Sequence, residues 1–197
     1  MKLKKEKARS LFRIFMELSK PNILSLVLVA TFLGYYLGNM GIGSIEILLY
    51  TLIGTAMTAA GSGTLNHYLE READGYMVRT QNRPLPAKLI SPYVALIYGI
   101  LMTIGGSILL LLKVNILTGF LALLTAFLYA LVYTPLKKIT WLNTSIGSIP
   151  GALPIIGGWT AARGEINTMA LVLFGIMYLW QHPHFYAIAL MCKDDYK

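Results

Sequence analysis

Six apolar runs divide the chain, each close to the roughly 20 residues that an α-helix needs to cross a hydrocarbon core about 30 Å thick. They cover Asn22–Gly38, Ile45–Leu69, Tyr93–Leu112, Ile116–Tyr133, Asn143–Ala162 and Thr168–Met191. A backbone in lipid must satisfy its own hydrogen bonds, so runs of this length and character restrict the chain to a helical bundle. The expected fold is all-α, a polytopic transmembrane bundle of six helices forming one membrane-embedded domain over residues 1–197. A basic cytoplasmic segment, residues 1–20, leads into it. Only 13% of the residues are charged and 56% are hydrophobic, which excludes an ordinary cytosolic globule, where about a quarter are charged. The lone cysteine, Cys192, excludes an internal disulfide framework and a cysteine-cluster metal site. No small-residue cleavage site follows the basic start, so the first helix is read as retained.

A formal net charge of +8 would suggest nucleic acid as the partner of a soluble protein. Here the distribution of basic residues reports orientation, and no nucleic-acid partner is expected. One side of the membrane receives Lys2, Lys4, Lys5, Lys7, Arg9, Arg13 and Lys20, then Arg71, Arg79, Arg83 and Lys88, then Lys137 and Lys138, then Lys193 and Lys197. The other side has Lys113 and Arg163. Both termini and two charged loops are therefore expected in the cytoplasm. The fifth run, with Pro150, Pro154 and several glycines, is expected to be kinked and buried against other helices.

The acids follow the same asymmetry, with only Glu46 and Glu165 on the far side. Asn66, Glu70 and Asp74 recur every fourth residue, so they drift only about 80° around a helix and can face one cavity. Carboxylates on one face repel each other unless a cation lies between them, and hard oxygens at an interface suit Mg²⁺ carrying phosphate. Arg79 and Arg83 follow, with forked guanidinium groups able to clasp phosphate oxygens. A solvated loop with local pairs, Glu70 with Arg71 or Asp74 with Arg79, would also account for this spacing. Further groups favour a shared site: Lys137 and Lys138 in a second loop, with Tyr133 at the helix end beside them, and Asp194 and Asp195 in a third. A diphosphate held by magnesium would use them all. Small residues such as Gly54, Gly61, Gly63 and Gly105 are expected to leave an apolar slot between helices.

The run Asn66-x3-Glu70-x3-Asp74-x2-Met77-x-Arg79-Thr80-x2-Arg83-Pro84 closely resembles the first signature of the protoheme IX farnesyltransferase (heme O synthase) family, within the UbiA-type intramembrane prenyltransferase superfamily. Tyr133-Thr134-x-Leu136-Lys137, Gly151-Ala152-Leu153-Pro154, Trp180-Gln181-x-Pro183-His184-Phe185 and Asp195-Tyr196 are similar to later parts of that family, in its order. The resemblance covers nearly the whole chain from about Lys20. The family usually has aspartate where this chain has Glu70, which keeps the charge and lengthens the reach. It also has roughly nine membrane helices, so six imply a chain lacking the C-terminal part.

The resemblance implies transfer of a farnesyl group from farnesyl diphosphate to a vinyl carbon of heme B, with addition of water, to give heme O. It implies Mg²⁺ held by Asn66, Glu70, Asp74, Asp194 and Asp195. The catalytic set would be Asn66, Glu70, Asp74, Arg79 and Arg83, with Arg79, Arg83, Lys137, Lys138 and Tyr133 on the diphosphate. Partners would be the two substrates, membrane lipid and the next heme-modifying enzyme or terminal oxidase assembly, in a prokaryotic cell membrane. Histidines inside membrane segments often face cavities, which makes His184 and His182 candidates for heme contact; hydrogen-bonded helix packing is the structural alternative. Two other functions are weighed. A quinone precursor or lipid acceptor would keep the donor half, and a secondary transporter would use the irregular fifth helix. Transport pathways favour ionisable groups near the bilayer centre, whereas these gather at one interface.

Overall fold

The computed structural model describes residues 9–137, 139–140 and 142–191. Among them every regular element is helical: α1 (Leu11–Leu18), α2 (Pro21–Asn39), α3 (Ile45–Tyr76), α4 (Pro92–Lys113), α5 (Ile116–Phe127), a π-helical segment (Leu128–Tyr133), α6 (Thr134–Leu136), α7 (Asn143–Arg163) and α8 (Thr168–Met191). The six expected spans correspond to α2, α3, α4, the α5–α6 rod, α7 and α8. Four of them, Pro21–Asn39, Ile45–Tyr76, Pro92–Lys113 and Ile116–Leu136, are both long and apolar enough to cross a membrane by length and composition alone. α7 and α8 have the length, 21 and 24 residues, but are diluted by Asn143–Ser148 and by Gln181-His182-Pro183-His184. Of these, Ser145 bonds to His182 and Ser148 to Gln181 between the two helices, and Gln181 and His184 line the cavity described below.

α2 packs against α3 and α7, α3 against α4, α4 against α5, and α5 against α7, which closes a ring; α8 lies on α7. Small residues set the approach in this ring. A Cβ on Gly54 would lie 2.5 Å from Leu110 Cγ, and one on Gly61 would lie 2.5 Å from Thr103 N. These two glycines therefore seat α4 on α3. Of the four glycines expected to form a slot, Gly63 alone lines the cavity. α7 is buried as expected, yet it is one continuous helix through Pro150 and Pro154. Its buried face, Ala152, Leu153, Ile155 and Ile156, is held by neighbours on both sides, so packing compensates for the bonds that the prolines cannot make.

α1 lies within the expected basic segment. Ser10 caps it by accepting from the Arg13 amide at 3.3 Å, and Arg13 pairs with Glu17 one turn on at 3.2 Å. Ile14 and Leu18 turn inward against Leu85 and Ala95, while Leu11 and Phe12 are exposed, as suits a helix lying at a membrane surface.

α3 runs seven residues beyond its apolar stretch. At 1.5 Å per residue its 32 residues span about 48 Å, more than the roughly 30 Å hydrocarbon core. Its last turns, carrying Asn66, Glu70 and Asp74, thus project past the interface. The chain then folds back. Thr80 donates its hydroxyl to the Asp74 carbonyl at 2.9 Å, Arg9 donates to the Asn82 carbonyl at 3.0 Å, and Leu85 is the apolar plug beneath α1.

Candidate active site

α3 presents its three oxygen-bearing side chains in a row, and a cation from a different part of the chain meets each one. Asn66 is fully buried; its amide donates to Thr134 Oγ1 at 2.8 Å, which fixes Oδ1 to accept from the ammonium of Lys20. Glu70 pairs with Lys137. Asp74 accepts from one guanidinium nitrogen of Arg83 at both carboxylate oxygens, 2.9 and 2.7 Å. In this structure the chain's own bases face the acids. Arg71 pairs with Glu72 at 3.3 Å, away from this row.

Two local features deliver these cations. Lys20, between α1 and α2, adopts φ 51°, ψ 65°, a left-handed conformation costly for a lysine and more so before a proline. It turns the side chain into the bundle, where Nζ also reaches Tyr129 OH at 3.2 Å. Burial pulls its ammonium down to about 8, against the opposing pull of Glu70; Arg83 lowers it further and Asp74 raises it. The π-helical segment brings Tyr129 and Tyr133 onto one side, ring centroids 5.9 Å apart, with Lys137 5.1 Å from the Tyr133 ring. π-segments occur often at functional sites. Thr134, which donates to the Tyr129 carbonyl at 2.8 Å, locks that bend to Asn66.

Behind these groups lies a cavity of about 460 Å³. Lys20, Tyr129, Tyr133 and Lys137 form its polar end, and α2, α3, α5, α7 and α8 line it down to Leu110 and Thr118. Thr118 lies roughly 20 Å from Tyr133 along the rod at 1.5 Å per residue. His184 lines the cavity with its ring stacked on Trp180, centroids 5.0 Å apart. His182 is bonded instead: Nδ1 donates to the Tyr178 carbonyl at 2.9 Å, so Nε2 accepts from Ser145 at 3.2 Å. His67 is buried beside Asp74, Nδ1 4.0 Å from Oδ2, with both ring nitrogens lacking a hydrogen-bond partner.

The structure thus brings together Asn66, Glu70, Asp74, Arg83, Lys137 and Tyr133. Arg79 sits exposed in the turn after α3. Lys138, Asp194 and Asp195 lie outside the described residues. Lys20, Tyr129 and Thr134 were not expected in the site. Lys20 reads in the sequence as one more topological charge, and its one signal is its position directly before Pro21 at a helix start.

The described residues thus form an α-helical bundle with an apolar cavity, whose polar end holds Lys20, Lys137, Tyr129 and Tyr133. The model of the UbiA prenyltransferase family matches residues 27–197, and the chain belongs to that family, as a multi-pass membrane protein. The protoheme IX farnesyltransferase of Solibacter usitatus is 42% identical over 93% of this chain and 66% of its own length. That of Aquifex aeolicus is 40% identical over 98% and 66%, and that of Salinibacter ruber 47% identical over 92% and 64%. The chain therefore spans slightly under two thirds of these relatives. A solved structure of digeranylgeranylglyceryl phosphate synthase shares the fold, with a TM-score of 0.75 at 21% identity over 86% of this chain and 59% of that one.

Proposed function

We propose that this single membrane-embedded domain binds farnesyl diphosphate and heme B and transfers the farnesyl group to a heme vinyl carbon, forming heme O. The observation that carries the reading is the matched row, three oxygen-bearing side chains on α3 with a cation facing each, two of those cations, Lys20 and Lys137, lining an apolar cavity. The relatives named protoheme IX farnesyltransferase point to the acceptor.

The donor set fits Mg²⁺. Among the described residues no group of three His, Cys, Asp or Glu could hold a metal by itself, and Mg²⁺ typically uses one or two carboxylates with water and substrate phosphate. Glu70, Asp74 and Asn66 would hold it, with Asp194 and Asp195 as further candidates. When bound, it supplies positive charge to the departing diphosphate. Arg83, Lys137 and Tyr133, with Arg79 and Lys138, bind and orient that diphosphate. The allylic C–O bond breaks with its electron pair leaving on the diphosphate, and the allylic carbon bonds to a vinyl carbon of heme B. Water adds to the other vinyl carbon, and its spare proton leaves with the diphosphate. The apolar walls exclude other water, which would hydrolyse the allylic cation.

Incubating membranes that hold the protein with heme B, farnesyl diphosphate and Mg²⁺ should yield a product with the mass of heme O. Prenylation of a quinone precursor in its place overturns the acceptor assignment. His184→Ala should weaken heme binding at least about tenfold, in line with loss of a direct contact worth 1.4 kcal/mol or more, and remove the Soret shift on binding. His182→Ala should leave that shift intact and lower thermal stability. Equal loss from both variants contradicts a contact through His184. The distribution of basic residues among the loops supports an orientation with both termini of this chain in the cytoplasm of a prokaryotic cell, so single cysteines at Asn39 and Asn167 should react only from the outer face; labelling from the cytoplasm reverses the orientation.

A further inference from the structure

We propose that Lys20 is a positioning cation that occupies the Asn66 oxygen in the resting site and moves onto the donor's phosphate when metal and diphosphate enter together. This rests on the donor site proposed above. Asn66 has one oxygen, and the bond from its amide to Thr134 Oγ1 at 2.8 Å prevents the side chain from presenting nitrogen and oxygen interchangeably. Lys20 Nζ already takes that oxygen. A metal ion there competes with the ammonium, because two positive charges crowded onto one oxygen repel each other.

The ammonium has somewhere to go. Nζ is held by two groups, Asn66 and Tyr129 OH at 3.2 Å, and Lys20 lines the polar end of the cavity together with Lys137 and Tyr133. A diphosphate entering there meets Lys20 without any change of backbone. The strained backbone at φ 51° keeps the side chain aimed inward in either position. Lys137 on Glu70 and Arg83 on Asp74 face the same competition, so each of the three side chains has an internal cation that metal must displace. The consequence is that metal alone binds poorly, and metal and diphosphate promote each other's binding, since each removes the other's competitor. Lys20 is distinctive among the three because it comes from outside the segments that carry the family-like motifs and because its partner is a neutral amide, which an ammonium can leave without separating an ion pair.

The test uses the protein in lipid nanodiscs with Mn²⁺ in place of Mg²⁺, reading free Mn²⁺ by electron paramagnetic resonance with and without inorganic pyrophosphate. Wild-type protein should bind Mn²⁺ at least tenfold more tightly with pyrophosphate present. Lys20→Met should bind Mn²⁺ alone at least threefold more tightly than wild type while losing most of the pyrophosphate-dependent gain, and Lys20→Arg should retain that gain. Unchanged or weaker binding of Mn²⁺ alone by Lys20→Met, with the wild-type gain intact, overturns the role of Lys20. A wild-type protein that shows no gain with pyrophosphate overturns the donor-site reading itself. Should Lys20→Met fail to fold by thermal unfolding, Tyr129→Phe, which releases one of the two holds on Nζ, should shift Mn²⁺ affinity in the same direction; no shift there also overturns the proposal.

Discussion

Arg83→Gln is expected to lower farnesyl transfer by about two to three orders of magnitude, the usual cost of removing one fixed donor from developing negative charge. In this structure one Arg83 nitrogen spans both oxygens of Asp74. In turnover the same guanidinium would stabilise the diphosphate while Asp74 turns to the metal. The substitution has a second effect that must be separated from the first. The Asp74 side chain is only 7% exposed, so deleting its partner leaves a buried carboxylate poorly compensated, a loss of up to about 3 kcal/mol. The double variant Asp74→Asn/Arg83→Gln removes both charges together, so no carboxylate is left buried without its partner. Thermal unfolding should return close to the wild-type midpoint in the double variant while transfer remains abolished. Near-normal turnover in Arg83→Gln, measured at saturating farnesyl diphosphate, refutes the assignment of this residue to the donor.

The spans and the row of oxygens were legible because each depends on a local regularity: apolar runs of membrane length, and a repeat of four along one helix. What the oxygens touch was not legible. Glu70 meets Lys137 across 67 positions of chain, and Asn66 meets Lys20 and Thr134 from either direction. No local spacing reports such contacts, and near neighbours like Arg71 are the natural first choice of partner. α3 reaches past its apolar run, as the repeat of four through Asp74 implies. Hydropathy ends near Leu69, but the Glu-Arg-Glu-Ala run that follows is made of good helix formers, so the helix outlasts its apolar character. The π-segment is hidden because Leu128–Tyr133 is apolar in either helical register. α1 has its own local signals in Ser10 and in the spacing of Ile14 and Leu18, set among basic residues that equally suit a topological role.

Gly157 and Gly158 are adjacent on α7 and should respond to the same substitution in opposite ways. A Cβ on Gly158 would lie 1.9 Å from the Thr31 carbonyl oxygen and 2.7 Å from the Tyr35 nitrogen, and one on Gly34 would lie 2.0 Å from the Ile155 carbonyl oxygen. These are backbone atoms, so no side chain can rotate away, and the contact between α2 and α7 must open. Overpacking of this kind costs about 1–3 kcal/mol or more, and for a chain of this size about 2–4 °C of melting temperature accompanies each kcal/mol. Gly158→Ala should therefore melt roughly 5–10 °C lower. It should also lose transfer, since Ala30 on α2 and Leu153 on α7 are facing walls of the same cavity. Gly157 has open space where its Cβ would be and lines the cavity. Alanine there removes the helix penalty of glycine, a gain of up to about 1 kcal/mol, so Gly157→Ala should be at least as stable as wild type. Its methyl group instead projects into the chamber and should raise KM for farnesyl diphosphate while the fold is intact. Equal melting temperatures for the two variants would mean that α2 and α7 are not in the close contact that shapes this chamber.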